Sequence, residues 1–212
     1  MLILVGCVGL HWPVTAQRIY REYFWEERDK WQRAADYLHY LGAKAGAHIA
    51  DIGCHEGYMT VKLSTAVGKN GKVYAVDIED EKLSTLRENL RKRSITNVQV
   101  IKGDYDDPKL PANQLDAVLI LDTYHEMDSY QKILAHIEKA LKPGGILVIS
   151  ESISDSRRNQ TRSQQHERHE IGMNFVLKDL EQTNFSVIHQ EDPFVDREAE
   201  EGDKLWIIVC KK

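Results

Sequence analysis

Cysteine is scarce in this chain. Cys7, Cys54 and Cys210 are the only three in 212 residues, too few and too scattered for a disulfide framework or a zinc knuckle. Basic charge is not in excess either. Lys plus Arg number 28 against 33 for Asp plus Glu, a net charge of −5, so the chain has no general pull on a phosphate backbone. Nucleic acid is therefore not an expected partner. No apolar run reaches the roughly 20 residues that cross a bilayer, so no stable membrane span is expected. There is no internal repeat. No His, Cys, Asp or Glu spacing amounts to a metal set. His166-Glu167-Arg168-His169 lacks the histidine interval of a zinc-protease helix and reads as a solvated helix face or part of a substrate lid. What remains is ordinary for a globular domain: 42% hydrophobic and 29% charged residues, on a chain long enough to bury a full core.

The first sixteen residues stand apart. Met1 to Leu10 is apolar, and Val14-Thr15-Ala16 before Gln17 fits a small-residue cleavage site. A signal peptide would also want a basic start, yet the first basic side chain is Arg18. Three readings stay open: residues 1–16 are a cleaved leader and the protein is exported, or they follow a mis-called start, or they pack on the domain of a cytoplasmic protein. Residues 17–212 read as a single domain.

The rest alternates between helical and extended patterns. Apolar residues from Phe24 to Leu41 recur at a helical period, predicting a helix over Arg18 to Leu41 that stops at Gly42. Strands are predicted at His48 to Ile52, Lys72 to Val76, Val98 to Lys102, Leu115 to Leu121 and Ile146 to Ser150. Helices fall between them at Tyr58 to Val67, Asp80 to Arg93 and up to Leu141. The last starts at a capping box of Asp128 and Gln131 and is broken by Pro143-Gly144-Gly145. Leu115 to Leu121 is almost continuously apolar, as befits a strand buried on both faces of a parallel sheet. Ser152 to Gln165 reads as a mobile polar segment before a helix near Phe175 to Gln182. Strands at Phe185 to His189 and Leu205 to Cys210 follow, with a solvated acidic loop from Glu191 to Asp203 between them. Strands alternating with helices imply an α/β, doubly wound sheet.

Ile49-Ala50-Asp51-Ile52-Gly53-Cys54-His55-Glu56-Gly57 joins the first strand to the next helix. In such a sheet the ligand crevice lies at that strand's C-terminal edge, and glycine lets the backbone approach a ligand. Asp77, at the end of the second strand, can accept hydrogen bonds from both hydroxyls of a ribose. A dinucleotide fingerprint beginning at Gly53 would need glycine where His55 and Tyr58 stand, which weakens an NAD-dependent oxidoreductase reading.

Asp51 through Gly57 resembles the first motif of class I S-adenosylmethionine-dependent methyltransferases. Val73 to Asp77 resembles the second, Gly103-Asp104-Tyr105 the acidic turn after the third strand, and Leu141 to Leu147 the motif leading into the fifth. A Trp31-Gln32 pair before the core and Tyr124-His125 after strand four resemble small bacterial members of unassigned substrate. The resemblance implies a Rossmann-like, seven-stranded sheet with its last strand antiparallel. It also implies S-adenosylmethionine as cofactor and methyl transfer to a small-molecule acceptor. Gly53 and Gly57 would line the methionine part and Asp51 would reach its amino group. Asp77 would hold the ribose with Ile78 against the adenine, and Asp104 and the Tyr105 amide would face the adenine amino group. Asp122 would complete that cofactor-binding set. Were the acceptor to arrive protonated, the candidates for a general base would be the residues just past strand four: Asp122, Tyr124, His125 and Glu126. His125 and Glu126 stand foremost; in the bland reading Asp122 and His125 merely shape the loop. In the bland readings Asp77 is a helix-cap acid and Asp104 part of a polar loop.

The departure from the motif is His55, which replaces the middle glycine. A positive φ there would strain it. His55 and the leader favour a rival reading, a non-catalytic module that holds a cofactor or partner on the same fold.

Overall fold

The structure is a computed structural model that describes residues 20–199 and 201–212. The leader reading of residues 1–16 lies outside the described residues.

The chain runs α1 (Trp25–Asp29), α2 (Ala34–Tyr40), β1 (His48–Ile52), α3 (Tyr58–Val67), β2 (Lys72–Asp77), α4 (Asp80–Lys92), β3 (Val98–Lys102) and β4 (Leu115–Leu121). It continues through α5 (Tyr130–Ala140), β5 (Leu141–Ile153), α6 (Arg162–His166), α7 (Met173–Leu180), β6 (Ser186–Asp196) and β7 (Lys204–Lys211). These strands form one seven-stranded sheet in the order β3-β2-β1-β4-β5-β7-β6, with β7 antiparallel to both neighbours. The doubly wound mixed sheet is the architecture that the alternating pattern and the resemblance imply.

Strand alternation decides which side chain meets which helix. Ala50 and Ile52 of β1 face one layer with Val118 and Ile120 of β4, under α5 and α7. Ile49 faces the other with Ala117, Leu119 and Leu121, under α2 and α3. Each fully buried Leu or Ile here contributes about 1.5–3 kcal/mol. The same alternation turns Asp51 toward α3. The chain reverses direction across the sheet between β1 and β4, and ligands of open α/β sheets bind at the C-terminal edge of that switch point.

Four expectations are corrected. The helix expected over Arg18 to Leu41 is broken in two, because Arg33 adopts φ 54° and donates to the Phe194 carbonyl and to Glu191. The expected Asp128–Gln131 capping box does not form: α5 starts at Tyr130, with Ser129 as its uncapped N-cap. Ser152 to Gln165 is built into the fold as the end of β5, a 3-10 turn and most of α6. Its polar groups are held by Glu170, from beyond the segment, which accepts from Ser154 and Arg157, and by a Thr161–Gln164 capping box within it. The acidic segment from Glu191 to Asp203 is not all loop: β6 extends through it to Asp196, and buried Arg197 forks onto Asp203 at 2.5 and 2.8 Å. Pro143-Gly144-Gly145 ends α5 as expected. It becomes an irregularity inside β5, where Leu141 pairs with Leu115 and Ile146 with Ala117.

Candidate functional site

The loop after β1 turns on two glycines in the left-handed region, Gly53 at φ 75° and Gly57 at φ 99°. A Cβ on Gly53 would lie 2.0 Å from Thr123 Oγ1, and one on Gly57 2.4 Å from a Leu86 methyl. Both positions are thus held to glycine by backbone and by neighbours. His55 between them sits at φ 47°, the strained conformation anticipated for it. Its amide donates to Asp77 Oδ2 at 2.9 Å, and the Glu79 amide donates to Asp77 Oδ1 at 3.0 Å. Asp77 therefore ties the loop to the end of β2. Each of its oxygens keeps a lone pair for a further donor.

Asp51 is buried on the α3 side and accepts from Thr60 Oγ1 at 2.6 Å. Burial pushes its carboxyl up to about 6, against the bond from Thr60 and the charge of Arg28. The His55 ring lies in the crevice with its centroid 4.9 Å from that of Tyr20. Burial brings the imidazole down to about 3, so it is neutral, and its buried Nδ1 has no hydrogen-bond partner among the described residues.

Three crevice residues were not singled out in the sequence. Arg28 of α1 is 4% exposed, and no described carboxylate pairs with it. It donates from Nε to Gln32 at 2.8 Å and lies over the rings of Tyr20 (5.0 Å) and Tyr58 (4.3 Å). Burial lowers its pKa to about 10. Gln32 in turn donates to the Tyr37 hydroxyl, which bonds Ser150 at 2.7 Å. The Trp-Gln pair thus supplies a buried bracket for Arg28. Tyr20 spans the mouth of the crevice: its ring meets His55 and its hydroxyl donates to Asp122. With Tyr20 so placed, the space enclosed by Tyr20, Arg28, Asp51, Gly53, His55 and Tyr58 is about 20 Å³. Glu151 of β5 is the third, described below. The signals were there to be read: Arg28 lies at helical spacing from Trp25 and Gln32, and Glu151 is a lone acid ending an apolar strand.

Asp122, at φ 54°, follows β4 and is pushed up to about 6 by burial and by nearby Glu151. A turn of 3-10 helix, Tyr124–Glu126, comes next. Buried Glu151 accepts the amides of Thr123 and Tyr124 and sits 2.6 Å from His125 Nδ1. Burial opposes a charge on His125, but Glu151, Glu126 and Asp122 outweigh it and hold its pKa at about 10. Glu126, bonded to His125 and His169, is held down to about 2. Ile78 and Tyr105 are exposed at the sheet edge, and Asp104 pairs with Lys109 at 2.9 Å. The structure thus gathers Asp51, Gly53 and Arg28 around one crevice with Asp77 tied to its loop. Asp104 and Tyr105 stay in a separate exposed loop. Cys54 is buried and its thiol is pushed up by burial, as suits a packing residue. Trp25 is likewise a core residue, edge-on to Tyr58.

These residues fit a ligand with an anionic end and a diol. Among the described residues, a buried cation without an acidic partner and an orphaned His55 Nδ1 line the crevice with the glycine loop, and an acid stands at the end of β2. No described helix is long and apolar enough to cross a membrane.

Comparisons with known proteins agree. Residues 43–194 match a family described as a methyltransferase domain. The chain is 29% identical over 123 residues to a demethylmenaquinone methyltransferase of Geobacillus stearothermophilus, covering 58% of this chain and 52% of that protein. It is 32% identical over 111 residues to the ubiquinone/menaquinone biosynthesis C-methyltransferase UbiE of Cronobacter sakazakii, covering 52% and 44%. The chain spans about half the length of these curated relatives. Among solved structures, a SAM-dependent methyltransferase from Aquifex aeolicus superposes with a TM-score of 0.76 at 22% identity, over 95% of this chain and 98% of that one. On the ordered motifs, the sheet and the family match, the chain belongs to the class I S-adenosylmethionine-dependent methyltransferases.

Proposed function

We propose that this chain transfers a methyl group from S-adenosylmethionine to a small-molecule acceptor. The observation that carries the reading is a glycine loop with Arg28, buried and without an acidic partner among the described residues, on one side and Asp77, which accepts the loop's His55 amide, on the other. When bound, S-adenosylmethionine supplies a methyl group on a sulfonium, a strong electrophile. The protein's task is then alignment and exclusion of water.

Arg28 meets the methionine carboxylate with the guanidinium edge that Gln32 leaves free. Gly53 and Gly57 let the backbone close on the methionine part, with Asp51 behind them toward the amino group. Asp77 takes the ribose hydroxyls on its remaining lone pairs, and Ile78 lies against the adenine. Asp104 and the Tyr105 amide serve the adenine amino group from the loop after β3. Tyr20 moves out of the crevice to admit a molecule of this size and releases Asp122. The acceptor lies beyond β4, near His125 and Glu126. At neutral pH His125 is a cation held between carboxylates. It is suited to stabilising an anionic acceptor rather than to removing a proton.

The names of the relatives make demethylmenaquinone the first acceptor to assay. Calorimetry with S-adenosylmethionine and its demethylated product, followed by methyl transfer to that and other ring acceptors, tests the reading. Absence of binding to either nucleoside sinks it. The rival, a module that binds without turnover, draws on Tyr20's place in the crevice. Binding without transfer to any acceptor would favour it.

A further inference from the structure

We propose that His125, Glu126 and His169 form a binding site for one divalent transition-metal ion of the zinc type. The three donors come from two segments that the fold brings together, the 3-10 turn after β4 and the end of the α6 region. Their ligating atoms all lie within 4.8 Å of one another. His125 Nε2 is 3.2 Å and His169 Nδ1 2.5 Å from Glu126 Oε1. Donors about 2.0–2.1 Å from a tetrahedral ion stand about 3.4 Å apart, so a rotamer adjustment brings these three into coordination.

The surroundings of His125 are those of a metal-binding histidine. Its Nδ1 faces the carboxylate of Glu151, which is fully buried and fixed by two backbone amides. Ligating imidazoles are commonly oriented by such a carboxylate on the ring nitrogen turned away from the metal. The main chain at this residue is fixed too, since its carbonyl oxygen is 2.6 Å from His166 Nδ1. Nε2 is thereby aimed at Glu126 and His169, where an ion would take the place of a proton. Glu151 and Asp122 lie near His125 as well, in a second cluster around its other nitrogen. Glu151 already serves three donors at full burial, whereas the outer cluster reaches the surface, so the outer cluster is the site proposed. Glu126 and His169 are partly exposed, with side chains 50% and 38% accessible, which leaves a coordination position open on the solvent side. Two histidines and a carboxylate with an open position is a donor set used by zinc hydrolases and non-haem iron enzymes.

The site shares His125 and Glu126 with the proposed acceptor side, so it is tested by metal binding alone, without reading methyl transfer. The untagged full chain is stripped with a chelator and titrated with Zn²⁺ by calorimetry, beside Glu126→Gln, His169→Ala and, as a control, His136→Ala. Glu126 and His169 lie at the surface, so their substitution leaves the core intact. The expected result is one equivalent bound with micromolar or tighter affinity in the wild type and the control. Each triad variant should weaken it at least tenfold. Wild-type binding weaker than about 100 µM, or a loss in only one triad variant or in neither, overturns the site. S-adenosylmethionine titrations of the same samples report separately on the cofactor crevice.

Discussion

Replacing Arg28 with methionine should separate binding from stability. Burial lowers the arginine from 12.5 to about 10. At about 1.36 kcal/mol per pH unit, that places the cost of the buried charge near 3 kcal/mol, an order-of-magnitude value. Because the folded-state pKa is the lower one, the cost is fully present at neutral pH and fades only as pH climbs past 10. The rings of Tyr20 and Tyr58 return about 0.5–2 kcal/mol and the bond to Gln32 about 1.5–3 kcal/mol. The opposing contributions nearly cancel. Arg28→Met should therefore change stability by no more than about 2 kcal/mol, or about 4–8 °C in melting temperature for a chain of this size. Binding should behave differently. A charge-assisted bond to the cofactor carboxylate is worth about 1.5–3 kcal/mol, roughly a 10- to 150-fold change in affinity. The assay is calorimetry on wild type and variant with S-adenosylmethionine and its decarboxylated analogue. The wild type should prefer the carboxylated ligand at least tenfold, and the variant should lose that preference. An equal loss of affinity for both ligands, or none for either, would refute the assignment of Arg28.

Further outcomes are expected elsewhere in the site. Asp77→Asn should weaken S-adenosylmethionine binding at least about tenfold while costing only about 1 kcal/mol of stability, since the amide oxygen still accepts from His55 and only the exposed bond from the Glu79 amide is lost. Calorimetry and a melting curve on one sample decide it. Asp51→Asn should stabilise the ligand-free protein at pH 7.5 by up to about 3 kcal/mol. A raised carboxyl pKa means that ionisation costs stability above about 6 and nothing below 3.8, so the gain should vanish in melts at pH 4. Glu151→Leu should cost about 3–5 kcal/mol in urea unfolding, because it strands two buried amides and a histidine cation.

How far the sequence foretold this molecule depended on the range over which each signal acts. The strands and the helices between them were legible because burial on both faces leaves runs such as Leu115 to Leu121, and because Gly57 and Gly68 flank α3. The glycine loop and Asp77 were legible because both sit at fixed positions on adjacent strands. What escaped depends on contacts between distant segments. Nothing local to Arg33 announces that its guanidinium reaches Phe194 and so divides the first helix. The polar stretch from Ser152 looked mobile because its partner, Glu170, lies beyond it in the chain. The same holds for the chemistry. His125, Glu126 and His169 have no metal-binding spacing; only the packing of α6 against the turn after β4 brings them together. His55 joins the two kinds of signal. Its place in the glycine loop was evident from the motif, and so was its strain. Its use depends on Tyr20, whose ring meets the imidazole while its hydroxyl closes on Asp122. A glycine in that position would give Tyr20 no ring to rest on. The departure from the motif thus brings the segment before α1 onto the crevice, at the cost of one strained residue and one unsatisfied nitrogen.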